Sequence, residues 1–311
     1  MPISNDNELT LPDGRRLGYA SYGPVDGWPV LFFHGIPGSR HSSHSAGVVG
    51  ESRGARVIAF DRPGYGLSHP KPGREIHHWA QDVADALDAL ELERFSIFGY
   101  SGGAPFALAT AASIPERVAS LAVVSGMGPL DTPEAEAHLT RGERWRRLLA
   151  VHVPPLVQFR SWQAARSIRE DVGAFLMGRA RAAPAEDRMQ LERPAINAVM
   201  RQDLLASVVQ GGGTLAHEMR LMARPWQFDL ADVRAPMQIW HGSDDEVVPM
   251  WLAESVAARL PHAETRFLSD LGHLLLLSHM SDIIEQLLEA RSEPGSDSEK
   301  APEADAAPAA G

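Results

Sequence analysis

Cysteine is absent from this 311-residue chain, which rules out disulfides and thiolate metal sites at once. Basic charge is scarce as well: 29 lysines and arginines stand against 40 acids, a formal net charge of −11. Part of that excess sits at the end. From Ser292 onward five acids (Glu293, Asp297, Glu299, Glu303, Asp305) face Lys300 alone, which leaves the body near −7. A nucleic-acid binder normally presents a basic face, so no nucleic-acid partner is expected. No uncharged apolar run reaches the length of a membrane span, and none is expected. The start, Met1 to Glu8, is polar and acidic, without the basic and apolar regions of a signal peptide, so the expected location is the cytoplasm. Histidine is plentiful at 13, but His41-x-x-His44 matches no recognised ligand pattern with a carboxylate nearby. Neither a metal nor another cofactor is expected.

What is present reads as a soluble enzyme of ordinary composition, 44% hydrophobic and 22% charged, long enough for a full-sized core. Short apolar runs alternate with helical patterns, which predicts an α/β fold with a mostly parallel twisted sheet flanked by helices. The expected buried strands are Val30 to His34, Val57 to Phe60, Phe95 to Tyr100, Leu121 to Ser125, Met237 to His241 and Thr265 to Leu268. Pro12-Asp13-Gly14 reads as the turn of a hairpin between Leu9-Thr10-Leu11 and Leu17 to Tyr22. Helices are expected over Trp79 to Leu92, Gly102 to Ser113, Met250 to Leu260 and Asp282 to Ala290.

The rhythm breaks between about Leu130 and Asp229, where β runs are lacking and Arg, Ala, Met and Trp are frequent. The expected organisation is a core of residues 1–129 and 230–291, with 130–229 an inserted helical cap. Residues 292–311, rich in Pro, Ala and acids, are expected to be disordered. Gly211-Gly212-Gly213 in the insertion reads as a plain loop, with a hinge or tight passage the alternative.

Chemistry concentrates in three places. Gly99-Tyr100-Ser101-Gly102-Gly103 matches G-x-S-x-G, with an apolar strand before it and a helix of small residues after it. A serine on a strand-to-helix turn sits in a strained backbone, so its near neighbours must be small. In return its hydroxyl is exposed at the positive end of a helix. Ser101 is therefore the candidate nucleophile. His34-Gly35-Ile36-Pro37-Gly38-Ser39 follows another buried strand. Acyl transfer needs donors aimed at the oxygen that becomes negative in the transition state. The N–H groups of Ile36 and Gly102 are the candidate oxyanion hole, and His34 reads as a brace for the loop.

These motifs resemble the α/β-hydrolase superfamily, in its large branch with an HGxPG loop. Asp61-Arg62-Pro63-Gly64-Tyr65-Gly66-Leu67-Ser68 is similar to that branch's D-x-P-G-x-G-x-S segment, which implies a structural loop and no catalytic part for Asp61. The resemblance runs from about Leu9 to Ala290 and excludes the insertion. It implies a serine–acid–histidine order along the chain. Gly242-Ser243-Asp244-Asp245-Glu246-Val247-Val248-Pro249 fits the family's G-x-x-D-x-x-V-P, which aligns Asp245 as the acid, with Asp244 the alternative. His273, in Asp270-Leu271-Gly272-His273, falls where the family's general base stands.

Together these residues point to a serine hydrolase acting on a carboxylic ester of a small or medium, mostly apolar molecule through an acyl-enzyme. C–C bond hydrolysis, lactone hydrolysis, aminopeptidase action and perhydrolysis keep the same triad and stay open. A peptidase would need an acidic anchor for the amine, for which Glu134, Glu136 and Glu218 are candidates. A ligand receptor with slow turnover also stays open. Trp145, Trp162, Phe175 and Met222 are the candidate pocket residues of the cap. Its arginines, Arg141 to Arg147 and Arg160 to Arg169, read as solvated helix faces.

Overall fold

The computed structural model describes residues 5–291. The expected disorder of 292–311 lies outside the described residues. The chain opens with a hairpin, β1 (Asn7–Thr10) and β2 (Arg16–Tyr22), and then enters β3 (Trp28–Phe33) and β4 (Ala55–Phe60). β5 (Phe95–Tyr100), β6 (Val118–Val124), β7 (Met237–Gly242) and β8 (Ala263–Leu268) follow. Among the described residues these form one sheet in the order β1-β2-β4-β3-β5-β6-β7-β8. β1 and β2 pair antiparallel and so do β2 and β4, while the pairings from β4 through β3 to β8 are parallel.

Alternation along the strands builds the two cores. Leu31 and Phe33 of β3 point to one face of the sheet, with Phe60, Ile97 and Val123. Val30 and Phe32 point to the other, with Val57, Phe98 and Val124. Helices cover both faces, which is why these strands read as nearly continuous apolar runs. α1 (His44–Ser52) lies on the Val30 face. α2 (His78–Ala89) and α3 (Ala104–Ser113) lie on the Leu31 face.

Between β6 and β7 the α-helices are α4 (Pro133–His138), α5 (Arg141–His152), α6 (Pro154–Glu170), α7 (Val172–Ala182), α8 (Ala185–Glu192), α9 (Pro194–Ser207) and α10 (Gly213–Met222), with no strand among the described residues. This is the inserted cap. The Gly211–Gly213 passage joins α9 to α10. Gly211 sits at a φ of +94°, and a side chain at Gly212 would strike the carbonyl of Ser161. α11 (Met250–Ala257) and α12 (Leu276–Glu289) complete the core.

Two sequence expectations need correction, and one helix carries no pattern that predicts it. Thr265 to Leu268 is not a buried strand: β8 is the sheet's last strand, pairs only with β7, and is mostly exposed. α1 carries no amphipathic signal. It presses on the sheet through Ala46, Gly47 and Gly50, where a Cβ at Gly50 would meet Val57, and glycine is a poor helix former. The last helix begins at Leu276, six residues before the expected Asp282.

Candidate active site

β5 delivers Ser101 at the carboxyl end of the sheet, with its backbone in the left-handed region at a φ of 53°. The small neighbours are a steric requirement. A side chain at Gly103 would run into the carbonyl of Phe33, and one at Gly99 would press Ala107 at 2.6 Å. From this turn the Ser101 Oγ lies 3.0 Å from His273 Nε2. His273 Nδ1 lies 2.8 Å from Asp245 Oδ2.

The other oxygen of Asp245 accepts the N–H groups of Val247 and Val248, at 2.9 and 2.8 Å. Asp244 is exposed and accepts from the Ser243 hydroxyl instead, so Asp245 is the acid that faces the imidazole. A second imidazole, His241, approaches the same Asp245 oxygen at 3.4 Å and contacts the Val248 carbonyl at 2.8 Å. Burial pushes His241 below the ordinary histidine value against the pull of Asp245, which keeps it neutral near pH 7.

The loop after β3 comes down beside the serine. A Cβ at Gly102 would meet Ile36 Cγ1 at 2.5 Å, so the two backbone segments that carry the Ile36 and Gly102 amides are in contact. His34 is fully buried. Its Nδ1 lies 2.9 Å from the Gly35 carbonyl and its Nε2 accepts the Arg62 N–H. Burial and the Arg62 charge hold its pKa well below the usual range, so it braces the loop as a neutral ring. Asp61 likewise spends its carboxylate on Arg40 and on the Leu67 N–H.

Three carboxylates of the cap tie these loops in place, and sequence reasoning gave none of them that task. Asp187 of α8 accepts the consecutive N–H groups of His273 and Leu274, at 2.8 and 2.9 Å. Gly272 has no room for a side chain because a Cβ there would meet the Asp187 carboxylate at 2.5 Å. Asp203 of α9 accepts both the N–H and the hydroxyl of Ser39, each at 2.7 Å. Burial raises the Asp187 carboxyl above its ordinary value, and it pushes Asp203 up to about 7.

Glu218 of α10 is completely buried and binds Arg62, Arg74 and the Tyr65 hydroxyl. Arg62 in turn donates to the carbonyls of His34 and Gly35. Burial works to raise the Glu218 carboxyl, but the two guanidiniums outweigh it and hold it far below the carboxylate range. Glu218 therefore offers no anchor for a substrate amine. Glu134 and Glu136 are exposed and pair with Arg259 and Arg147.

A cavity of about 270 Å³ opens over Ser101 and His273. Ile36 and Pro37 form one side, and Leu176, Leu191, Met200 and Leu204 of the cap form another. Arg179, Asp187 and Asp203 of the cap add polar groups to it, as do Ser42, Tyr100 and Glu246 of the core. The expected pocket residues are elsewhere. Trp145 and Trp162 are exposed, because α5 and α6 turn their aromatic faces outward. Phe175 is one position off the cavity face of α7, which presents Leu176 and Arg179, three residues apart, and packs into the core instead. Met222 is buried in the core on the other side of the sheet, beside Leu221. Nothing in the sequence separates Leu176 from Phe175, since both are apolar and adjacent and only the packing of α7 chooses between them.

Comparison with known proteins agrees with this geometry. The profile of the α/β hydrolase fold family matches residues 29–280. A non-heme chloroperoxidase of Streptomyces lividans is 29% identical over 90% of this chain and 97% of its own length. A bifunctional esterase/perhydrolase of Acinetobacter calcoaceticus is 26% identical over 81% of this chain and 87% of its own. The crystal structure of a bromoperoxidase from Bacillus anthracis superposes with a TM-score of 0.70 at 21% identity, covering 93% of this chain and 100% of that one. Among the described residues no helix is long and apolar enough to cross a membrane.

Proposed function

The chain belongs to the α/β-hydrolase fold family, and on that premise we propose that it is a serine hydrolase cleaving a carboxylic ester of a small or medium, mostly apolar molecule. Fold alone does not license this, since one scaffold hosts many reactions. The observation that carries the reading is the hydrogen-bonded chain Ser101–His273–Asp245 opening into a small, mainly apolar cavity.

His273 Nε2 takes the Ser101 proton as Oγ attacks the ester carbonyl, and returns it to the departing alkoxide. Asp245 holds the Nδ1–H tautomer and stabilises the imidazolium, while its second oxygen is fixed by Val247 and Val248. The developing oxyanion is met by the N–H groups of Ile36 and Gly102. Gly102 lies in the first turn after the nucleophile, where helical N–H groups have no partner along the chain. Water then attacks the acyl-enzyme by the same route. The cavity volume sits at the low end of ligand pockets, which limits the acyl and alcohol groups together to a modest size.

Perhydrolysis is the second reading, favoured by the similarity to a protein named an esterase/perhydrolase. It replaces water with hydrogen peroxide in the second half-reaction and leaves the first unchanged. A panel of p-nitrophenyl esters, lactones and amino-acid amides, each with and without peroxide, tests the proposal. Many turnovers on short esters are expected. Release stalling at one equivalent points to a slow receptor, and turnover on amides alone overturns the ester reading.

A further inference from the structure

α5 has no buried residue, although it carries Trp145, Leu148 and Leu149. These fall at three- and four-residue steps on one face. The row continues through Val153, Leu156 and Phe159 to Trp162 on α6. All seven side chains are exposed, Trp145 to 66% and Phe159 to 55%. The opposite face of α6 is spent inward on Ser161, Ala165 and Ile168, and α6 packs on α10. The apolar row is therefore the outer surface of the cap. Its length and continuity set it apart from the scattered apolar residues that any protein surface carries.

Charge identifies what fits it. Residues 141–170 hold seven arginines and two glutamates, a net of +5 in a chain whose formal charge is −11. Arg141, Arg146 and Arg160 are exposed, and only Arg146 meets an acid, Glu143 at 3.8 Å. A second copy docking through the same face would set +5 against +5. An anionic surface meets both features of the strip. Arginines beside a row of Trp, Phe and Leu on a surface helix are the composition of elements that lie in the head-group region of a bilayer, with tryptophan at the boundary.

We propose that the α5–α6 face of the cap docks reversibly onto an anionic lipid surface, with the aromatic row at head-group depth and the arginines on the lipid phosphates. α6 packs on α7, and α7 contributes Leu176 and Arg179 to the wall of the cavity, so docking brings the catalytic pocket close to esters dissolved in the lipid. The chemistry at Ser101 does not depend on this docking.

The test is flotation of the full-length chain with vesicles of phosphatidylcholine alone or with added phosphatidylglycerol. The chain is expected to float only with the anionic vesicles, and less as ionic strength rises. Trp145→Ala with Trp162→Ala is expected to lower partitioning at least ten-fold. Arg141→Glu with Arg146→Glu and Arg160→Glu is expected to lower it on the order of a hundred-fold. Turnover on a soluble ester should be unchanged in both variants, which shows that they are folded. Three results overturn the proposal: no flotation of the wild-type chain, unaltered flotation of the charge-reversed chain, or a dimer in gel filtration that the tryptophan variant dissociates.

Discussion

Replacing Asp203 with asparagine separates charge from hydrogen bonding at the cap. Burial pushes the Asp203 carboxyl up to about 7, with nearby Asp61 adding to the rise and the two Ser39 bonds opposing it. An unperturbed carboxyl titrates near 4, so the folded protein holds the proton over roughly three pH units in which the unfolded chain has lost it. A raised carboxyl contributes stability that is complete below the unfolded pKa and disappears as pH rises through the folded one. Three units correspond to about 4 kcal/mol at most, and relaxation or water entering from the cavity halves this to about 2 kcal/mol. Asparagine keeps the Oδ1 that accepts both Ser39 bonds, and it has no charge to desolvate. Its amide faces the cavity, where water can serve it.

Asp203→Asn should therefore change stability little at pH 4, near the unfolded pKa, and raise it by about 2 kcal/mol at pH 8.5. In a chain of this size that is a rise of several degrees in Tm, roughly 2–4 °C for each kcal/mol. Thermal melts of both proteins at the two pH values read this directly. An equal shift at both pH values, or a loss at pH 8.5, contradicts the assignment of a protonated acid in this contact.

Asp245→Asn should leave the melt nearly unchanged and lower kcat by roughly 10³–10⁴, because the amide selects the wrong imidazole tautomer. Asp244→Asn should be nearly silent in the same ester assay, and the reverse ranking would move the role to Asp244. Asp187→Asn can satisfy only one of the two N–H groups of His273 and Leu274. It should cost about 1–3 kcal/mol of stability and, with the imidazole free to drift, on the order of 10²-fold in kcat; urea melts and ester kinetics measure the two effects separately. Leu176→Ala and Met200→Ala should shift chain-length preference by about 1–3 kcal/mol between short and long esters, whereas Trp145→Ala should shift none. Equal effects of all three on every substrate would mean that the cavity wall is drawn wrongly.

The core was legible because local rules and global packing agree there. Phe95 to Tyr100 reads as a strand by composition and is one, buried on both faces between β3 and β6. The elbow around Ser101 is written in small residues because backbone contacts forbid anything larger. β8 departs from the central strands because Glu264, Thr265 and Arg266 make it polar, and its place at the end of the strand order leaves it exposed. The cap was legible as helical and no further. Its helices carry apolar residues on more than one face, so periodicity does not tell the face toward the cavity from the face toward solvent. Asp187 and Asp203 carry no local signature, since an acid in a helix is ordinarily a solvated one. Their partners lie 86 and 164 residues away, and only the folded chain brings them together.

The central claim is that Ser101 is the nucleophile, and covalent labelling tests it most directly. The wild-type protein, incubated with a fluorophosphonate probe and weighed intact, should gain the mass of one adduct. Peptide mapping should place that adduct on Ser101, and labelling and ester turnover should fall together in the Ser101 and His273 variants. Ser101→Ala should take no label and lose turnover by about 10⁴-fold or more while melting at a similar temperature. An adduct on another serine, or an alanine variant that still turns over ester at the wild-type rate, contradicts the account.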